Sequence, residues 1–366
     1  MSRIRVAIAG CGNCASSFYQ GLDYYSQPQG QDGLIRDSIG GFVAGDIEVV
    51  AAFDIDSRKV GQPLGTALRQ LPNCTPQFSR DLSGQGPVVQ LAPQLDGVAE
   101  HMTTYPDSQT FLPASGTPVD VAKVLKESGA EILINYLPVG SEQAAFHYAE
   151  ACLATGVSMI NCIPVFIASK TEWAERFRAA GIPMIGDDIK SQLGATIVHR
   201  TLTQLFQERG ITIKRSYQLN TGGNTDFLNM LNQDRLASKR ISKTEAVSSA
   251  ISQEEPADLH IGPSDYVPFL KDNKNCFLRI EGEGFAGQPI ELELKLSVMD
   301  SPNSAGVVMD AVRYIKIARE LKMTGPLIGP SAYLMKRPPV QLPLDEARGS
   351  IEDLITQYTE RPVVAK

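Results

Sequence analysis

Residues 4–9 form a short, β-branched apolar run that stops at Gly10-Cys11-Gly12-Asn13-Cys14-Ala15, and residues 15–25 then carry a helical pattern. A strand feeding a helix through a glycine-rich turn is the opening unit of a doubly wound α/β fold. The turn fits the G-x-G-x-x-A form of the dinucleotide fingerprint. Gly10 permits the tight turn, Gly12 lets backbone approach a pyrophosphate, and the small Ala15 lets helix pack on strand. With Asn13 and Cys14 in the loop, the amides at the helix start face the phosphates. A merely structural glycine turn is the other reading.

A second strand over 47–53 ends at Asp54, placed to accept hydrogen bonds from an adenosine ribose, which favours NAD over its 2′-phosphorylated relative. It follows Gly10 by more than the usual ~20 residues because the Gly/Gln-rich 26–45 intervenes. Cys11 and Cys14 are spaced C-x-x-C, but a redox or metal reading needs a second pair, and both fall inside the loop. The four histidines, His101, His147, His199 and His260, show neither metal spacing nor a triad partner.

The alternation continues with a strand over 131–137 closed by Pro138-Val139-Gly140, a helix over about 141–155, and a strand over 157–163. A helix from Ser169, a strand over 182–185 and a helix over 192–207 follow. Ser169 and Glu172 match a capping box. Further on, Ile290, Leu292, Leu294, Leu296 and Val298 alternate with polar residues in strict period two, which predicts a strand with one buried face. With 275–281 across 282–288 it forms a hairpin of an antiparallel sheet, a surface that helps build oligomers. Residues 303–321 return to helical periodicity. Segments 26–45 and 73–117 read as irregular excursions to which no role attaches.

At 366 residues the chain exceeds one ordinary core, so two domains, or one large α/β domain with an insertion, are expected. The net charge of −7, uninterrupted by a long basic block, argues against nucleic acid or an anionic membrane as partner. Any phosphate must therefore be held by a local cluster. Six scattered cysteines suit a reducing cytoplasm. The start lacks a signal-peptide apolar run, and no stretch reaches the ~18 apolar residues of a membrane span.

Gly186-Asp187-Asp188-Ile189-Lys190-Ser191 sits at a strand end before a helix, where open α/β sheets place ligands. Its carboxylates and lysine suit sugar hydroxyls or a nicotinamide ribose, although spacing alone favours a solvated helix start. Lys239 and Lys243 would share one helix face, an arrangement useful with an anion between them and otherwise a solvated surface.

Together with Asn220 to Asn229 (NTGGNTDFLN), Ser238 to Lys243 (SKRISK), Asp300 to Gly306 (DSPNSAG) and Ser331 to Lys336 (SAYLMK), these blocks resemble the myo-inositol-1-phosphate synthase family in its short prokaryotic form. The match runs over nearly the whole chain. The resemblance implies a Rossmann-type doubly wound parallel sheet, with 1–200 and 310–366 forming the NAD-binding domain. A central α+β domain, 201–309, would carry catalysis and build a homotetramer.

It further implies a cytoplasmic enzyme that converts glucose 6-phosphate to 1D-myo-inositol 3-phosphate (1L-myo-inositol 1-phosphate). The route is NAD-dependent oxidation at carbon 5, enolisation, aldol closure and re-reduction. The family's lysines match Lys239, Lys243, Lys274 and Lys336, and its aspartates Asp226 and Asp300. Lys239 with Lys336 would serve the carbon 5 oxygen, Lys274 the aldehyde oxygen and Lys243 the phosphate, with Asp300 orienting a lysine.

Asp226, Ser191, Asp187 and, from the helix after Gly140, Tyr148 are expected near the nicotinamide. Lys239 also counts among the cofactor contacts. Some relatives place a divalent cation at the aldehyde oxygen, and no ligand spacing here decides for or against one. An ordinary NAD-dependent dehydrogenase and a non-catalytic dinucleotide sensor are the competing readings; the sensor would need no lysine cluster.

Overall fold

The computed structural model describes residues 3–27, 33–232, 257–262 and 265–361. The alternating strands assemble one parallel sheet from β1 (Ile4–Ala9), β2 (Ile47–Asp54), β3 (Val89–Leu91), β4 (Ile132–Asn135), β5 (Ser158–Asn161) and β6 (Pro183–Ile185). Its spatial order, β6-β5-β4-β1-β2-β3, reverses direction at β1, and that reversal opens a crevice at the carboxyl ends of the strands. A seventh strand, described below, extends the β6 edge.

Period-two alternation decides which helices cover which face. Ile4, Val6 and Ile8 of β1 pack with Ala15, Phe18 and Leu22 of α1 (Asn13–Ser26). Ala7 and Ala9 point the other way. Beyond the four-residue α2 (Leu64–Ala67), they meet a core supplied by α3 (Val121–Ser128), α4 (Glu142–Thr155) and α5 (Thr171–Ala179). Each fully buried large apolar side chain contributes roughly 1.5–3 kcal/mol.

Two helix starts differ from the sequence expectation. The capping box at Ser169 does not form, because Ser169 lies ahead of α5 and gives its N–H and hydroxyl to the buried Asp187 carboxylate, at 3.0 and 2.8 Å. An ionised acceptor outcompetes a helix terminus for those donors. Helix α6 (Ala195–Glu208) begins three residues later than expected. Asn303 accepts from the Gln192 and Leu193 amides and donates to the Leu193 carbonyl, which holds that stretch out of the helix.

The second sheet contains β7 (Thr212–Gly222), α7 (Thr225–Asn229) at its exit, β8 (Asp258–Ile261), β9 (Asp265–Tyr266), β10 (Asn273–Glu283) and β11 (Pro289–Met299). Its order is β11-β10-β7-β8, with β9 also on β7. The expected hairpin is β10–β11, in register from Asn273↔Met299 to Glu283↔Pro289. Leu292, Leu294 and Leu296 pack toward Phe206 of α6, as the alternation predicts. They stay half-buried because β11 is the end strand of the sheet among the described residues.

The chain then returns through α8 (Asp300–Glu320), which lies beside α1 on the first sheet and is buried on nearly every side. Fully buried Arg313 of α8 pairs with Asp310 and donates to the Arg36 and Asp37 carbonyls, both at 2.9 Å. Residues 36–37 of the first excursion are thereby pinned to this helix. β12 (Gly325–Pro326) adds to the β6 edge, and α9 (Ile328–Leu334) and α10 (Leu344–Thr359) close the described chain. Among the described residues no helix is long and apolar enough to cross a membrane.

His199 on α6 is fully buried, with Nε2 2.8 Å from Ser216 Oγ, and burial lowers its pKa to about 4 from the ordinary 6.5. Below pH 6.5 the unfolded chain binds a proton that the folded chain refuses, so stability falls until about pH 4. His199→Gln should therefore show a shallower loss of Tm across that window than the parent. Parallel slopes would show that His199 does not drive the acid loss.

Candidate active site

The crevice at the strand ends continues into a cleft walled on its far side by the second sheet. β1 delivers Gly10 at φ +91°, where an added Cβ would sit 2.8 Å from the Tyr136 carbonyl oxygen. Gly12 is the N-cap of α1; it makes no side-chain cap, and its Cβ position has nothing within 4 Å. An open backbone cradle at an uncapped helix N-terminus fits a pyrophosphate. Asp54 lines the same cleft, its carboxylate fixed by the amides of Cys11 (2.7 Å), Ile55 (2.7 Å) and Asp56 (2.9 Å). These residues together fit a dinucleotide.

The second excursion begins as a strap across this loop. Buried Lys59 donates to the Cys11 carbonyl and to Asn73 Oδ1, each at 2.9 Å, and Asn73 Nδ2 reaches the same carbonyl at 3.0 Å. The Asn13 carboxamide accepts from the Cys74 amide at 2.7 Å and the Thr75 hydroxyl at 3.1 Å. Asn13 and Cys14 face the cleft, whereas Ala15 is wholly buried in the helix-strand contact. Burial, reinforced by the charges of Asp300, Asp272 and Asp226, pushes the Cys14 thiol up to about 12, which keeps it protonated and a poor nucleophile. Tyr148 of α4 reaches the cleft beside Phe53.

At the end of β6 the two adjacent aspartates part company. Asp187 is fully buried and does not line the cleft, contrary to the expectation of a cofactor contact. Its carboxylate accepts from Asn161 Nδ2 (2.7 Å) and from the amides of Ile167, Ala168 and Ser169, so it serves as an internal anchor. Asp188 turns into the cleft at φ +62° and accepts from Lys336 Nζ at 2.7 Å. Backbone bonds Lys336 N→Asp188 O (2.7 Å) and Lys190 N→Leu334 O (2.8 Å) clip this turn to the end of α9. Lys190 Nζ, buried, donates to the Ala332 carbonyl at 2.7 Å; burial, then Arg200 and Lys336, lower its pKa to about 7.

The second sheet supplies the opposite wall. Lys274 of β10 donates to Asp300 Oδ1 at 3.1 Å and lies 5.7 Å from the centre of the Phe227 ring. Burial pulls its pKa down, but the charge and hydrogen bond of Asp300, with Asp226 behind, reverse this and leave it raised. Asp226, in the first turn of α7, lines the cleft. Ser191 lines it next to the N-terminus of α6, whose N-cap, Gly194, carries no capping side chain. Lys239 and Lys243 lie outside the described residues. Among the described residues, no group of three or more His, Cys, Asp or Glu side chains gathers to hold a metal ion.

Sequence reasoning gave Asn220, Asn224 and Asp272 no role of their own, whereas Asp188, one of the two carboxylates expected at a ligand, does line the cleft. The signal for Asn220 was available: Gln218 and Asn220 carry polar groups on the inward face of β7, where the alternation calls for apolar ones.

The profile of the family described as myo-inositol-1-phosphate synthase matches residues 194–301. The inositol-3-phosphate synthase of Corynebacterium glutamicum is 48% identical over 365 residues, covering 97% of this chain and 99% of the relative. This chain belongs to the inositol-3-phosphate synthase family. A second family member, from Mycobacterium tuberculosis, is 48% identical over 358 residues, 97% of this chain and 96% of its own. A crystal structure of a myo-inositol-1-phosphate synthase-related protein from Thermotoga maritima superposes with a TM-score of 0.78 at 22% identity. It covers 96% of this chain and 98% of its own and shares the fold. As an inositol-3-phosphate synthase homologue the chain binds NAD, and the glycine loop and Asp54 have the geometry for it.

Proposed function

We propose that this cleft isomerises glucose 6-phosphate to inositol phosphate by the family's NAD-dependent route, with two lysine-carboxylate pairs dividing the work. The observation that carries this reading is that Lys336–Asp188, from the first sheet's side, and Lys274–Asp300, from the second, line the one cleft into which the glycine loop opens. Bound NAD supplies a hydride acceptor and, after ring closure, the matching donor, so the reaction is redox-neutral overall.

Gly12 and the first amides of α1 hold the pyrophosphate, and Asp54 holds the ribose. Lys336 binds the carbon 5 oxygen and exchanges a proton at Nζ, with Asp188 holding that nitrogen in place at 2.7 Å. Lys274, kept protonated by Asp300, donates to the carbon 1 aldehyde oxygen, where negative charge develops as the ring closes. Lys274 is placed for that oxygen by its hydrogen bond to Asp300 at 3.1 Å. The N-terminus of α6 receives the phosphate; the roles expected of Lys239 and Lys243 fall outside the described residues. The buried walls exclude water from the intermediates.

In this reading 1–200 with 310–366 form the NAD-binding domain and 201–309 the catalytic one, in a cytoplasmic homotetramer. The end strand β11, half-buried in one chain, supports assembly through the second sheet.

Purified protein given glucose 6-phosphate and catalytic NAD should release inositol phosphate without net NADH, measured by periodate-labile phosphate and by absorbance. Steady NADH build-up would replace this reading with a simple dehydrogenase. Silence in both channels, with NAD bound, would leave a sensor.

A further inference from the structure

Asp272 sits in the turn before β10 and is 1% exposed, yet it has no cationic partner at hydrogen-bond distance among the described residues. A buried carboxylate without a cation persists only when polar donors satisfy it. Here the donors come from two helix starts. Oδ1 accepts from Asn224 Nδ2 at 3.1 Å, and Oδ2 accepts from the Ser301 amide at 3.3 Å and from the Ser301 hydroxyl. The Asp272 carbonyl takes the amide of Asp300 at 2.9 Å.

Asn224 is the N-cap of α7. Its Oδ1 accepts from the amides of Asp226 (3.1 Å) and Phe227 (3.3 Å), so its donor end is free to reach Asp272 only in this orientation. Ser301 follows Asp300 at the start of α8. One side chain therefore fixes the rotation of the two helix starts that present Asp226 and Asp300, while the strand that follows it, β10, carries Lys274 two residues on. We propose that Asp272 is the positioning residue that sets the geometry of Lys274, Asp300 and Asp226, acting through Asn224 and Ser301. This rests on the reading of the cleft given above.

The hydrogen-bond directions make the test specific. Asp272→Asn places an amide N–H₂ against a donor on one side or the other. If it faces Asn224, that residue must flip and lose its cap; if it faces Ser301, the backbone N–H stays unpaired. The double variant Asp272→Asn with Asn224→Asp reverses the direction of the bond. The amide introduced at position 272 would donate to the new carboxylate at position 224, whose other oxygen still caps α7, and the local charge is unchanged.

The experiment measures inositol phosphate formation, NAD affinity and Tm for the full-length parent, the single variant and the double variant. Asp272→Asn should lower kcat about 100-fold, the scale of a misplaced catalytic group, with NAD affinity changed by less than about threefold. The double variant should recover kcat to within about tenfold of the parent. A single variant that keeps parental kcat would overturn the proposal. So would a double variant that regains parental Tm without kcat, or one that regains neither. An inactive parent would instead refute the proposed function itself.

Discussion

Replacing Lys274 by methionine should lower turnover of glucose 6-phosphate by about 10³-fold while NAD still binds, because loss of one preorganised oxyanion donor costs about 10²–10³. Methionine keeps the length and apolar stem, so the change isolates the ammonium group. That group lies over the Phe227 ring and is held charged by Asp300, and it therefore acts as a hydrogen-bond donor rather than a base at neutral pH. Asp300 would lose its partner, and with both side chains about a fifth exposed the stability loss should stay near ~1–3 kcal/mol. Inositol phosphate release, NAD titration and thermal melting on the same sample separate these effects. Turnover within tenfold of the parent would remove Lys274 from the chemistry, and Lys274→Met/Asp300→Asn would recover Tm without recovering turnover.

A second large effect is expected from a glycine whose replacement disturbs nothing in the protein. Gly12 has φ −85°, which any residue adopts, and open space where a side chain would go. Gly12→Val should leave Tm within about a degree and weaken NAD at least tenfold, about 1.4 kcal/mol, because its methyls would fill the pyrophosphate cradle. Gly10→Ala is the contrast. There the positive φ and the Tyr136 carbonyl oppose any Cβ, so fold and binding should fall together, with a Tm loss reflecting about 2 kcal/mol. Equal NAD affinity for Gly12→Val and the parent would mean that the phosphates lie elsewhere.

The first sheet was legible because buried parallel strands, glycine turns and amphipathic helices each leave a local pattern, and the β10–β11 hairpin because its alternation is strict. The site was legible where a residue's role depends on its own backbone, as at Gly10 and Gly12. It was less so where neighbours compete for one environment. Nothing local to Gly-Asp-Asp says which carboxylate turns inward; Asp188 has the cleft because Asn161 and the amides of 167–169 capture Asp187. Ser169 failed as a cap for the same reason. Asp272 escaped notice because its donors come from residues 224 and 301, far from it in sequence. The strap at 73–75 likewise has meaning only against the loop it crosses.

The clip between 187–190 and 334–337 also bears on the order in which the enzyme is made. A chain emerging from the ribosome amino end first can pair β1 to β6 and build the second sheet before residues 325–337 exist outside the tunnel. Until then β6 is an unprotected sheet edge, and Asp188 and the cleft lack the ammonium group of Lys336, which lies just past α9. The strand that covers the edge and the lysine that pairs with Asp188 arrive within a dozen residues of each other, so the sheet edge and this wall of the cleft are completed together. A chain that stops short of residue 325 therefore keeps an open sheet edge and a cleft without the Lys336–Asp188 pair.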